Sequence, residues 1–188
     1  MALMSLNKRQ QEVLLKLARQ SIENGYKTGH PLGVDLRDYP PELVKPGATF
    51  VTLEKRGRLR GCIGMLEAVL PLVEDVVENA FSAAFKDPRF PPVEKNEIDE
   101  LDIHISILGE PEPIHFASEQ ELLDQIRPHI DGLILQEGSQ RGTFLPSVWE
   151  TLPDKKQFLR HLKNKAGLPA DYWSDAIKVY RYTTEMFG

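Results

Sequence analysis

The chain has 188 residues and a net charge of −5 at neutral pH, with 41% hydrophobic and 27% charged residues. That composition is ordinary for a soluble globular protein with one sizeable core or two small lobes, and it offers no basic field to nucleic acid. A single cysteine excludes an intrachain disulfide and a cluster of thiolate ligands, and no apolar run approaches the roughly 18 residues of a membrane span. No signal-peptide pattern stands at the N-terminus, so the expectation is a cytoplasmic protein in a reducing compartment.

Ser5 is placed to cap a first helix over 6–26. Leu6, Val13, Leu14, Leu17, Ala18 and Ile22 recur there at helical spacing, and Gly25 and Gly29 mark its end. From Lys27 to Gly47 the chain is polar and carries Pro31, Pro40, Pro41 and Pro46. It is expected to wrap the surface without regular structure. Thr49 to Leu53 then reads as a strand, 54–57 as a turn, and Arg58 to Gly64 as the returning partner.

That returning run, Arg58-Leu59-Arg60-Gly61-Cys62-Ile63-Gly64, holds the cysteine. Gly61 and Gly64 allow φ > 0 or a close backbone approach on either side of it. A regular extended run puts Arg58, Arg60 and Cys62 on one face, where guanidiniums favour a thiolate and attract an anion. The same residues fit a plainer role, because a lone cysteine is often a small buried hydrophobe and glycines serve bulges and tight turns.

Pro71 fits the first turn of a second helix reaching Phe85, with a broad apolar face from Leu72, Val73, Val76, Val77, Ala80, Phe81 and Ala84. The segment Lys86-Asp87-Pro88-Arg89-Phe90-Pro91-Pro92 is a rigid turn, with Phe90 expected as an anchor that gives Arg89 a fixed direction. Leu101 to Leu108 alternates as a half-buried strand and places Asp102, His104 and Ser106 on one face. At about 7 Å per step those three make no triad, but His104 can reach a group on a neighbouring strand.

Ser118 is placed to cap a helix over 119–127, with Glu121 completing a capping box. The runs 132–136 and 141–145 form a hairpin. Pro153 and Asp154 open a helix stopped by Gly167, and a short helix over 171–177 feeds a terminal strand, 178–182. The order of elements indicates an α+β fold, with mixed or antiparallel sheets packed against helices.

Several chemistries are missing. Gly61-x-x-Gly64 is no dinucleotide fingerprint, no serine sits in a Gly-x-Ser-x-Gly elbow, and His30, His104, His115, His129 and His161 have no zinc-site spacing. No metal and no cofactor is expected. Arg58, Arg60, Arg89 and Arg141 point instead to carboxylate or phosphate binding. With Cys62 as nucleophile, His104 is the candidate base, and Glu67 and Asp102 are further acid–base candidates. Phe90, Tyr180 and Tyr182 are the available stacking groups, too few in an acidic chain to favour RNA.

Leu59-Arg60-Gly61-Cys62-Ile63-Gly64 resembles the signature of the AMMECR domain family. Further blocks follow in order: Ala80 to Pro92 with Asp-x-Arg-Phe-Pro-Pro, the strand Leu101 to Leu108, the hairpin with Arg141 and Phe144-Leu145-Pro146, then Phe158 to Leu168, Trp173 and Val179-Tyr180. The likeness covers about 6–187, and it implies one α+β domain over 1–188 built as a larger and a smaller lobe with a cleft between them. Leu59, Gly61, Ile63, Gly64, Phe90, Pro91 and Pro92 are then motif residues that shape the site. Relatives linked to Memo-like proteins and radical S-adenosylmethionine enzymes imply a component of a protein- or small-molecule-modification pathway. Its Cys62- and arginine-lined cleft would take an anionic small molecule or a protein substrate. The chain carries no cysteine cluster of its own, so such partners would be separate proteins. Two alternatives stay open: a non-catalytic adaptor for a protein partner and, less favoured, a nucleic-acid-associated regulator.

Overall fold

The computed structural model of the protein describes residues 5–188. They divide into two compact units, the larger formed by residues 5–108 with Glu185–Gly188, the smaller by Gly109–Thr184. The fold is α+β, with one four-stranded antiparallel sheet in each unit.

In the larger unit α1 (Lys8–Thr28) begins at Asn7, not Ser5. The Asn7 side chain accepts the Gln10 N–H at 2.9 Å, and Gln10 returns the bond to the Asn7 N–H, a capping box that Ser5 lies too far upstream to make. Gly29 closes the helix in the left-handed conformation, φ 78°. Gly25 lies inside the helix, where a Cβ would meet the Phe81 ring at 2.5 Å, so glycine here admits a neighbouring helix. The connection that follows is not featureless: it holds a 3₁₀ turn, Leu36–Asp38, and a short helix α2, Pro41–Val44.

The sheet runs β2 (Arg58–Gly64), β1 (Thr49–Lys55), β3 (Leu101–Leu108), β8 (Thr184–Phe187). Its inner face, with Val51, Leu53, Leu101, Ile103, Ile105 and Ile107, is sealed by α1 and by α3 (Leu72–Phe85). Burying each such side chain contributes about 1.5–3 kcal/mol. Pro71 is the N-cap of α3, and α4 (Lys95–Ile98) follows. The strand Leu101–Leu108 matches the alternation read from sequence.

The smaller unit's sheet runs β4 (Glu112–Ile114), β7 (Lys178–Tyr182), β5 (Gly132–Glu137), β6 (Gln140–Phe144), packed with α5 (Glu119–Gln125) and α6 (Lys155–Lys165). Trp149 stacks on Phe158 at 3.7 Å in its core. Ser118 caps α5 as expected, but Glu121 reaches the Ala117 N–H, one residue beyond the cap. No helix forms over 171–177. Ser174 instead holds the Ala176 N–H and bonds Glu137, which favours turns. The short strands β4 and β8 themselves carry too little alternation to be read as strands from sequence.

Candidate functional site

The hairpin carrying Cys62 is built by local backbone chemistry. Arg56 (φ 52°) and Gly57 (φ 74°) both take positive φ, the requirement of a two-residue type I′ turn. The ladder then slips: Glu54 faces Leu59 while Leu53 faces Gly61, so Arg60 is the extra residue of a bulge. That slip overturns the shared face expected for Arg58, Arg60 and Cys62. Arg58 falls in register with Lys55 and Leu101. Arg60 is nearly buried and spans Glu97, donating from Nε and Nη2 at 3.0 Å each, while its Nη1 is buried with no acceptor among the described residues. This pair, with the Glu94 N–H and Lys55, lowers the Glu97 carboxyl to about 2.

Neither glycine of the signature uses positive φ. Gly61 lies against the Ala83 carbonyl of α3, and Gly64 against Phe50 and the Thr49 carbonyl, so a Cβ at either position would collide with backbone. The inner face around Cys62 therefore sits tight on the helix. Ile63 packs into the core, and Leu59 is exposed.

Cys62 is half-buried on the opposite, outer face. Thr52 pairs with Cys62 on one side and with His104 on the other, so the three form one row across β2, β1 and β3. The Thr52 hydroxyl lies 3.3 Å from the sulfur. His104 Nε2 stands 3.5 Å from Glu54 Oε2. Two strand spacings, about 9–10 Å, separate the Cα atoms of Cys62 and His104, so a proton passes between them only through an intervening group.

The free edge of β2 is closed by side chains from the turn after α3. Asp87 Oδ2 accepts the Cys62 N–H at 3.0 Å, and Arg89 Nη2 lies 3.5 Å from the Cys62 carbonyl. Asp87 also accepts from the Arg89 backbone N–H (3.1 Å), Nε (3.0 Å) and Nη2 (2.8 Å). Arg89, first, and the Cys62 and Arg89 N–H groups hold the Asp87 carboxyl well below the usual carboxylate range, against the opposing effect of burial. Arg89 is raised in turn, chiefly by its bonds to Asp87, with the charge of Cys62 adding to it. The guanidinium is thus fixed beside the Cys62 backbone, within electrostatic reach of the thiol, while its own side chain stays 56% exposed.

Phe90 is only half-buried, 5.5 Å from the Arg89 guanidinium, and Pro91 and Pro92 are exposed. The anchor of this turn is Val93, 3% exposed, whose N–H bonds the Ala84 carbonyl. Arg141 belongs to β6 of the smaller unit, in register with Gln136. Sequence reading passed over Asp87, Thr52, Glu54 and Glu97. Asp87 had a usable signal, since an aspartate two residues before Arg89 can bond the Arg89 N–H as an Asx turn. Thr52 and Glu54 had only their alternation with Leu53.

Together these features define an α+β protein with a thiol on a clasped edge strand, its inner face pressed to a helix through glycine. The chain belongs to the AMMECR1 family, whose profile matches residues 15–187. It is 40% identical over 184 residues to a protein of Methanothermobacter thermautotrophicus, covering 97% of this chain and 95% of that one. It is 40% identical to the Methanocaldococcus jannaschii protein MJ0810, covering 92% and 87%. The crystal structure of the uncharacterized protein PH0010 from Pyrococcus horikoshii superposes with a TM-score of 0.90 at 38% identity, covering 96% of this chain and 92% of that one. None of these relatives carries a name that states an activity. No helix among the described residues is long and apolar enough to cross a membrane.

Proposed function

We propose that the outer face of the larger unit's sheet is a nucleophilic-thiol site, with Cys62 as the reacting group and Arg89 as its counter-ion. The substrate is an anionic small molecule or protein group, held by the exposed part of the Arg89 guanidinium. The observation that carries this reading is the clasp: Asp87 orients Arg89 against Cys62, and a guanidinium beside a thiol favours its thiolate. Thr52 steadies the sulfur, and His104 with Glu54 acts on the far side of a bound substrate. This fits a component of a modification pathway whose radical chemistry belongs to separate Memo-like and radical S-adenosylmethionine partners. An iron–sulfur cluster needs several thiolates and this chain supplies one.

The test is the rate of Cys62 alkylation by iodoacetamide in folded protein over about pH 5 to 10, with unfolded protein as reference. Fast labelling with an apparent pKa well below about 8.5 supports the site. Labelling only after unfolding removes it. A second reading would then stand, that of a binding domain for a protein partner, favoured by exposed Leu59, Met65, Val69 and Leu70 on and just after β2.

A further inference from the structure

A pocket of about 700 Å³ opens in the smaller unit, where the β4–β7 ladder ends at Ile114 and Val179 and the two strands part. Its walls include His115 and Phe116 past the end of β4, Trp173 and Asp175 before β7, and Lys178 and Tyr180 on β7 itself. Among the described residues, the polar side chains of His115, Asp175, Lys178 and Tyr180 make no hydrogen bond or ion pair within the chain. The aromatic wall is braced: Trp173 lies 5.6 Å from Phe116, and Lys163 Nζ lies 5.5 Å from the Trp173 ring while paired with Glu119 at 2.9 Å.

We propose that this pocket binds an aromatic molecule carrying both an ammonium and a carboxylate group. The volume falls in the range of small-molecule sites, roughly 300–1,000 Å³. Trp173, Phe116 and Tyr180 offer ring faces. Asp175 and Lys178 line one pocket with opposite charges that do not satisfy each other. A pure anion meets Asp175 and a pure cation meets Lys178, so a ligand bearing both signs is the one that neither repels. The proposal is independent of Cys62.

The two tryptophans make the test clean. Trp149 is fully buried, its Nε1 donating to the Asp131 carbonyl at 2.7 Å, whereas Trp173 lines the pocket. A ¹⁵N-labelled sample therefore gives two indole N–H signals, assigned with Trp173→Phe. Phenylalanine and the dipeptide glycylphenylalanine present the two sources of this chemistry, a free amino acid and a chain end. At least one is expected to shift the Trp173 signal saturably, with a Kd below about 1 mM, and to leave Trp149 in place. Phenethylamine and 3-phenylpropionate, each lacking one charge, should bind about tenfold or more weaker, and so should the better ligand to Asp175→Asn and Lys178→Met. Both positions are exposed, so the variants fold. No shift from either ligand up to about 10 mM overturns the proposal. So does equal binding of the singly charged analogues, or an unchanged Kd in both variants.

Discussion

Helix α3 ends in two nearly sealed aspartates with opposite chemistry. Asp75 in its first turn is 2% exposed and Asp87 just past its end is 4% exposed, so solvent contact is similar, although Asp75 lies deeper in the packed interior. Asp75 meets only neutral donors: the Thr49 N–H at 2.8 Å, the Thr49 hydroxyl at 2.7 Å and Asn79 at 2.9 Å, all on Oδ2. Burial outweighs them and raises its carboxyl to about 6. Asp87 has a guanidinium as well as backbone N–H groups, and its carboxyl is driven down. One end of the helix ties β1 to the core with a carboxyl that costs stability when charged. The other fixes a permanent charge pair beside Cys62. Depth without a cation raises one carboxyl, and a cationic partner at a shallower site lowers the other.

The comparison can be broken at several strengths. The largest effect is expected from Gly61→Ala, whose Cβ meets the Ala83 carbonyl and forces β2 off α3. A loss of about 3 kcal/mol is expected in urea unfolding, against almost none for Gly33→Ala, where no atom lies in the way.

Next comes the pH dependence of Asp75. Its folded value, about 6, lies above the ordinary 3.8, so between these limits the folded state holds the proton more tightly. The Asp75 contribution to stability is fullest below about pH 4 and falls as pH rises through about 6, a change of about 2–3 kcal/mol. Asp75→Asn keeps an acceptor for Thr49 and should flatten that slope relative to wild type.

Asp87→Asn should cost about 2 kcal/mol at neutral pH, mostly from backbone bonds weakened at Cys62 and Arg89, since the half-exposed guanidinium can turn to water. It should also remove stability that wild type loses as pH falls below the ordinary aspartate value, the opposite sign to Asp75. Glu97→Gln, which weakens the brace on Arg60, should cost about 1 kcal/mol by the same unfolding measurement.

Much of this was legible in the residues. The alternation of Leu101–Leu108 gave a strand with matching ends, and Asp154 and Ser118 announced their helices, because period and capping are local properties. The outer-face row of Cys62, Thr52 and His104 needed strand register, which depends on pairing partners distant in the chain. Gly61 was compatible with a bulge, but nothing local fixed that Arg60 would be the extra residue, and one extra residue was enough to reverse the expected face. Gly61 signalled a close approach, but that the neighbour is the Ala83 carbonyl is a fact of tertiary packing.

The central claim is that Arg89, oriented by Asp87, activates Cys62. Its most direct test is titration of the ultraviolet thiolate absorbance in folded wild type and in Arg89→Met, unambiguous because the chain has one cysteine. The thiolate should form well below about pH 8.5 in wild type and at least about one unit higher in the variant, where Asp87 is left uncompensated beside it. Superimposable curves, or a wild-type thiol that ionises no earlier than an unperturbed cysteine, would contradict it.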